Sequence, residues 1–450
     1  MDIFLAAANH GISATPPVGG WQCSIERGRE RAGIGALDLV VFALPAVRFV
    51  EFNLGGSLYL TDLLLLALFV GTVACRRESR ALLGQRLPRL FIVLALLWLG
   101  AQVVTDIVRH TPFGDFARGW SKIILTITHF SALYVLLHRQ LRRIKTYAWG
   151  LVVGGVLAFL IMPGSAGQAY PWKFGFSYPV TLAVFLLASG CKENSFGPSI
   201  LAAGMGALNL GLGSRSTGAV CLLAAVYLAW RAIWLRRERR SPLKLKTKSA
   251  IAVAAVLLLG CWGAVSAYEY AASTGLLGRD AQDLYALQSA GDYGMLIGGR
   301  SEILIGLEAA YDSPWLGHGS WAKDPEYVEL YRETMELLGY GSGTHEESLD
   351  QEANITAHSH ILGSMVEAGI LGAIFWGWVA FLAIRTAFRI YRVRHPLTPM
   401  IAFFLFLLLW DVFFSPYAAY YRFVTPFYVV GLMTWLQLGT EASQHEIAKP

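Results

Sequence analysis

Residues 88–108 read Pro88-Arg89-Leu90-Phe91-Ile92-Val93-Leu94-Ala95-Leu96-Leu97-Trp98-Leu99-Gly100-Ala101-Gln102-Val103-Val104-Thr105-Asp106-Ile107-Val108. Between Arg89 and Asp106 there is no charged residue. A helix of about 20 apolar residues crosses the hydrocarbon core of a bilayer, and this stretch has that length and that composition. It is one of a series. Comparable runs cover roughly 36–53, 57–75, 120–138, 146–162, 174–190, 197–213, 216–235, 250–269, 359–385, 398–415 and 421–438. The expected fold class is therefore an all-α integral membrane protein of about twelve transmembrane helices.

Composition agrees. Of 450 residues, 55% are hydrophobic and 15% charged, against about 25% charged in an average soluble chain. That excludes a disordered chain and a secreted disulfide scaffold. The net charge of +6 does not point to nucleic acid, because the basic residues sit in short loops between apolar runs and report topology. With residues 1–35 placed in the cytoplasm, 26 of the 37 Lys and Arg fall on that side. The expected arrangement has both termini inside, the tail being 439–450. The Phe4–Ala8 stretch is too short for a cleaved signal peptide and has no basic residue before it. Cys23, Cys75, Cys191, Cys221 and Cys261 are scattered, with neither the pairing of a disulfide framework nor metal-like spacing. Gly204, Gly206, Gly211 and Gly213 interrupt the seventh run. Small residues allow close helix packing, and Gly213 is placed to end that helix.

One connection is long. Residues 270–357 carry fifteen Asp and Glu and four Lys and Arg, and loops of this length are folded for function or disordered. Ile303, Leu304, Leu307 and Tyr311 recur at helical spacing, as do Tyr327, Leu330, Tyr331 and Leu337. Ser313-Pro314-Trp315-Leu316-Gly317-His318-Gly319 reads as a turn. The expectation is a small folded helical loop on the outer face, between helices 1–9 (residues 36–269) and helices 10–12 (residues 358–438). Matching halves, expected of an inverted-repeat transporter, are not evident.

Three constellations could carry chemistry. In Gly213-Ser214-Arg215-Ser216-Thr217-Gly218 small neighbours leave a guanidinium open to a bulky anion, which it can grip in bidentate fashion; the plain alternative is an arginine snorkelling to the interface. Gly298-Gly299-Arg300-Ser301-Glu302 offers a second arginine, or one paired with a nearby acid. Ala357-His358-Ser359-His360 puts imidazoles at the membrane surface, where one can act as a general base. On a helix, residues two apart do not share a face, so only one of the two could point at a given site. In an extended chain both could bind a metal, assisted by Asp350 or Glu352. Asp38, Arg48, Asp62, Asp106, Glu367, Asp411 and Arg422 lie within or at the ends of apolar runs, where ionisable groups face a cavity or a partner. Glu367 suits a structural role. Lys173 and Arg118 are accessory candidates for phosphate contact.

Taken together these segments resemble the O-antigen ligase and O-antigen polymerase family of bacterial envelope glycosyltransferases. Gly213-Ser214-Arg215-Ser216 is similar to that family's small-residue–Ser-Arg motif. Arg300 to Gly319 is similar to its arginine-containing stretch ending in Pro-x-x-Gly-x-Gly. His358-Ser359, Leu362, Glu367, Gly369 and Gly372 follow its pattern of a His followed by Leu at four, Glu at nine and Gly at eleven and fourteen. In that register His358 is the family histidine and His360 falls at a variable position. Ser359 stands where the family more often has Asn. The resemblance covers residues 200–380 by motif and the whole chain by architecture.

What the resemblance implies is transfer of a glycan from undecaprenyl diphosphate to an acceptor hydroxyl. The reaction would be inverting and metal-independent, without a cofactor, on the periplasmic face of the bacterial inner membrane. Arg215 and Arg300 would hold the diphosphate and His358 would take the hydroxyl proton. The implied partners are the lipid-linked glycan donor, membrane lipid, and either lipid A-core or a second lipid-linked glycan as acceptor; nucleic acid is not among them. Ligase is the preferred reading on the single dominant loop, with repeat-unit polymerase the alternative and a protein-glycosylating branch beside them. From a different class, a transporter or lipid flippase would use Asp62 and Asp411 as ion-coupling sites.

Overall fold

In a computed structural model, the structure describes residues 35–447 apart from 54, 193, 239–261, 264, 292–301, 341–353, 356 and 391–393. The chain divides at Val40. Before the division, Gly35 N–H donates to Asp38 Oδ2 at 3.2 Å and starts a helix, an acid in the first turn being favoured there.

The elements run α1 (Ala36–Ala46), β1 (Glu51–Asn53), β2 (Ser57–Tyr59), α2 (Leu60–Phe69), α3 (Arg77–Leu83), α4 (Arg86–Arg109), α5 (Phe113–Leu137), α6 (Leu141–Ile161), α7 (Ser165–Ala169), α8 (Ser177–Leu187), α9 (Gly197–Gly211), α10 (Arg215–Glu238), α11 (Arg279–Gln288), α12 (Glu302–Asp312), α13 (Pro325–Leu337), α14 (His360–Ala368), α15 (Ile370–Ile390), α16 (Thr398–Phe414) and α17 (Tyr421–Ile447). Among the described residues the fold is helical apart from the β1–β2 hairpin, whose register pairs Phe52 with Leu58, and an isolated bridge between Lys323 and Asn354.

Six helical rods among the described residues are long and apolar enough to cross a membrane: α4, α5, α6, Trp172–Gly190, Arg215–Arg237 and α15. The protein is a membrane-embedded helical protein by this measure. Leu60–Ala74 and Thr398–Phe414 are shorter apolar helices. Most of the ninth apolar run lies outside the described residues; its end joins a helical stretch over 265–273.

Two runs differ from the sequence reading. The first stops being α-helical at Ala46, where Pro45 sits in the last turn; proline removes a backbone donor and favours a helix end, and the chain continues as the hairpin. The tenth is two helices, α14 and α15, broken at Gly369.

The centre of the bundle is α16 and α17. Met400 to Leu405 and the run Phe427 to Val430 are fully buried, as expected of helices apolar all round. One cluster of charges inside is paired. Arg422 Nη2 contacts Asp62 Oδ2 at 2.7 Å and the Ser57 carbonyl at 2.6 Å, and His129 Nε2 lies 3.7 Å from Asp62 Oδ1.

The long loop has a core of its own. Ile305, Ala309 and Ala310 of α12 and Tyr327, Val328, Tyr331 and Met335 of α13 pack on Leu362 and Val366 of α14. Both helices expected there are present, but the inward face of α12 is the small one. Leu307 and Tyr311 point out, with 54% and 80% of their surface exposed.

Candidate active site

Arg215 is placed by a helix-stop motif. α9 ends at Gly211, and Gly213 turns the chain at φ +78°, a left-handed conformation glycine adopts without strain. Ser214 N–H donates to the Asn209 carbonyl at 2.8 Å and Gly213 N–H to Leu210 at 3.2 Å, the paired bonds of a Schellman motif. The Ser214 carbonyl then accepts from Gly218 at 2.9 Å and opens α10.

A buried polar network holds this turn from below. Asn209 Oδ1 accepts from Trp172 Nε1 at 2.9 Å and Ser177 Oγ at 2.8 Å, and Ser177 Oγ meets Ser214 Oγ at 2.8 Å. Arg215 itself points to the loop. Its Nη1 donates to Gln288 Oε1 of α11 at 2.7 Å, and its guanidinium lies 5.7 Å from the Tyr268 ring centroid.

His358 precedes α14. Ser359 is the N-cap, its Oγ accepting from Leu362 N–H at 3.2 Å and donating to the Val412 carbonyl at 2.9 Å. The His358 side chain is 35% exposed, and its Nδ1 lies 3.8 Å from Oε1 of Glu302, whose side chain is 7% exposed.

Arg215 and His358 stand at the same end of the bundle. α10 and α16 pack together, and Arg231 of α10 shares a pocket at the opposite end with Pro399, near the start of α16. The start of α10 therefore lies by the end of α16, where Ser359 is bonded. Arg300, two residues before Glu302, lies outside the described residues, as do Asp350 and Glu352.

The turn from Ser313 to Ser320 is a strap across this end. His318 N–H donates to the Val366 carbonyl at 2.7 Å, Gly319 N–H to Glu367 at 3.1 Å, and Ile370 N–H to Pro314 at 2.8 Å. The helix break at Gly369 lies under the strap. α4 holds the strap from beneath: Arg109 Nε donates to the Gly317 carbonyl at 3.0 Å and Arg109 Nη2 to Ser313 Oγ at 2.9 Å. Asp106 accepts from Ser320 N–H at 2.6 Å, Ser320 Oγ at 2.7 Å and Trp120 Nε1 at 2.7 Å. Two motifs some fifty residues apart in sequence are thus interlocked through their backbones.

The accessory candidates have definite places. His360 is in the core: its Nδ1 is 2.6 Å from the Ser415 carbonyl, and its ring packs within 4.9 Å of those of Trp376, Tyr417 and Tyr421. It anchors α14 to the α16–α17 turn. Glu367 pairs with Lys122 Nζ at 2.6 Å, joining α14 to α5. Arg118 donates from Nε to the Gly55 carbonyl and lies 5.4 Å from the Trp321 ring centroid, clamping the hairpin and the loop. The Lys173 ammonium lies 4.8 Å from the Phe174 ring centroid and 5.9 Å from that of Tyr170. Its neighbour Trp172 belongs to the network under Arg215.

Sequence reasoning missed Glu302 as a partner of His358, Gln288 as a partner of Arg215, and Lys122. Lys122 carried a signal, being a lone cation inside an apolar run. Glu302 carried none beyond its place beside Arg300. No family model and no curated protein matches this chain.

Proposed function

We propose that this protein is a membrane glycosyltransferase that moves a glycan from undecaprenyl diphosphate to an acceptor hydroxyl, most simply the sugar of lipid A-core. On this reading the full chain crosses the inner membrane twelve times, both termini are cytoplasmic and the strap faces the periplasm. The observation that carries it is the interlock of the strap with the His358–Gly372 stretch. The described residues that resemble the family's motifs in the strap and in the His358–Gly372 stretch are joined through their backbones, and Arg215 opens a helix at the same end.

The chemistry is a displacement at the anomeric carbon. The acceptor oxygen forms the new C–O bond while the bond to the diphosphate oxygen breaks with inversion. The hydroxyl proton passes to His358. The negative charge that develops on the diphosphate would be met by Arg215 and, as the resemblance implies, Arg300. The buried Asp62–Arg422–His129 cluster favours a transporter as the second reading, since charges inside a membrane often couple to ions.

The test is purified full-length protein with lipid-linked glycan, with and without lipid A-core, in buffer containing a chelator. Glycan moved to lipid A-core is the expected result. A ladder of longer lipid-linked glycans without lipid A-core would make the protein a polymerase. Absence of product together with proton- or sodium-dependent transport would replace the proposal by the second reading. His358→Ala is expected to abolish transfer, a loss of about a hundredfold or more, with helix content unchanged by circular dichroism. Arg215→Ala is expected to weaken donor use, read as a lower kcat/KM for the lipid-linked glycan.

A further inference from the structure

We infer that Glu302 is a positioning residue for His358, so that the two act as a carboxylate–imidazole pair. This rests on the proposed reading of His358 as the base.

The pairing is built by the local sequence. Glu302, Gly306 and Ala310 lie at four-residue spacing on α12 and all are buried, so they share one face. That face meets the chain around His358. A Cβ on Gly306 would lie 3.0 Å from Ala357 Cβ and 3.0 Å from Leu362 Cδ2. A side chain there would be tighter than ordinary contact by a few tenths of an ångström, so glycine favours this close seating of α12, and one turn earlier the same seating brings Glu302 Oε1 to 3.8 Å from His358 Nδ1. An acid in the first turn of a helix needs no special cause, since the helix dipole favours it. The dipole does not require that acid to be buried against an imidazole.

The chemical consequence concerns both ring nitrogens. A carboxylate beside Nδ1 favours the tautomer that carries its proton there and leaves Nε2 free to accept one. When the acceptor oxygen forms its bond to the anomeric carbon, its O–H bond breaks and an N–H bond forms at Nε2. The resulting imidazolium stands beside Glu302, which stabilises it, while the electron pair of the breaking C–O bond leaves on the diphosphate. Among the described residues, the other titratable and charged groups on the elements packed about this histidine include Glu308, Tyr311 and Asp312 of α12, His360 at the start of α14, Asp106 and Arg109 of α4, Asp411 at the end of α16, Tyr417 and Tyr421 at the α16–α17 turn, and the Lys122–Glu367 pair.

The experiment uses the full chain in nanodiscs with a lipid-linked glycan donor and lipid A-core. Transfer is followed against pH for wild type, Glu302→Gln, Glu302→Asp, His358→Gln and the double variant Glu302→Gln/His358→Gln. Glu302→Gln is expected to lower kcat about tenfold or more, since it removes a group that orients the imidazole and stabilises its protonated form. The donor KM should be little changed, the acid limb of the pH profile should move to lower pH, and Glu302→Asp should restore part of the loss. On the His358→Gln background the same change should cost nothing further.

An unchanged kcat and pH profile in Glu302→Gln, or an equal loss on both backgrounds, would overturn the pair. Gly306→Ala, which pushes α12 outward while keeping the carboxylate, should reproduce the shifted profile in part. If wild type transfers no glycan to any acceptor, the proposed function fails and the pair is still decided by titrating isotope-labelled histidines by NMR. His358, identified by its missing signal in His358→Gln, should titrate at lower pH in Glu302→Gln than in wild type. Coincident titrations would overturn the pair.

Discussion

Gly369 carries φ 66° and ψ −162°, a region reserved almost wholly for glycine. A Cβ there would overlap the Trp315 carbonyl. The residue thus serves two needs, a backbone turn that no L side chain makes cheaply and the close approach of the strap. Gly369→Ala should cost about 1–3 kcal/mol in backbone strain alone and displace Trp315 besides. A melting temperature equal to wild type in detergent would refute the interlock. In the sequence this glycine is visible only as a position in a pattern, since a glycine in an apolar run reads equally well as a packing contact. The same holds for His358 and His360. Both read alike as imidazoles at the membrane surface, and burial among Trp376, Tyr417 and Tyr421 is what sets His360 in the core.

Among elements, the strap and α4 are the closest partnership that the sequence conceals. Asp106 lies in an apolar run, and its charge there announces a partner without naming it. The partner is Ser320, more than two hundred residues later, because the loop folds back over the end of α4. Asp106→Ala would leave the Ser320 amide, the Ser320 hydroxyl and the Trp120 indole without their acceptor. Each buried donor left unsatisfied costs about 1–3 kcal/mol. The expected outcome is faster protease cleavage within residues 313–323 with helix content unchanged; equal cleavage rates would show that the strap does not depend on this carboxylate. Helices α12 and α13 of the loop were legible from spacing, but α11 and the inward face of α12 were not. The periodic large residues Leu307 and Tyr311 point outward because the small face, Gly306 and Ala309 with it, fits closest against α14.

Across the whole molecule, the end opposite the strap carries a pH dependence. His138 follows the last residue of α5, and burial, aided by Arg139, pushes its imidazole down to about 4. His395 precedes α16, and burial, aided by Lys145, pushes it down to about 4 as well. The ordinary value is 6.5. As pH falls from there the unfolded chain takes up these protons before the folded one, so stability drops through the interval and levels off below 4. The melting temperature should therefore be flat above pH 6.5 and fall between 6.5 and 4. A His138→Gln/His395→Gln variant should lose most of that slope, and an unchanged slope would assign it to other groups.

The sequence by itself determined that this chain is a helical membrane protein, where the apolar helices among the described residues lie, and that α12 and α13 form in the long loop. Runs of apolar residues and the spacing within them are local properties, and a bilayer leaves the backbone little choice but to be helical. It also marked Arg215 and His358 as residues worth testing. Only the tertiary structure decided that the run at 359–385 is two helices, that His360 belongs to the core, and that Glu302 stands beside His358. Each of those depends on which surfaces meet across long stretches of chain, and contact between distant segments leaves no period in the sequence.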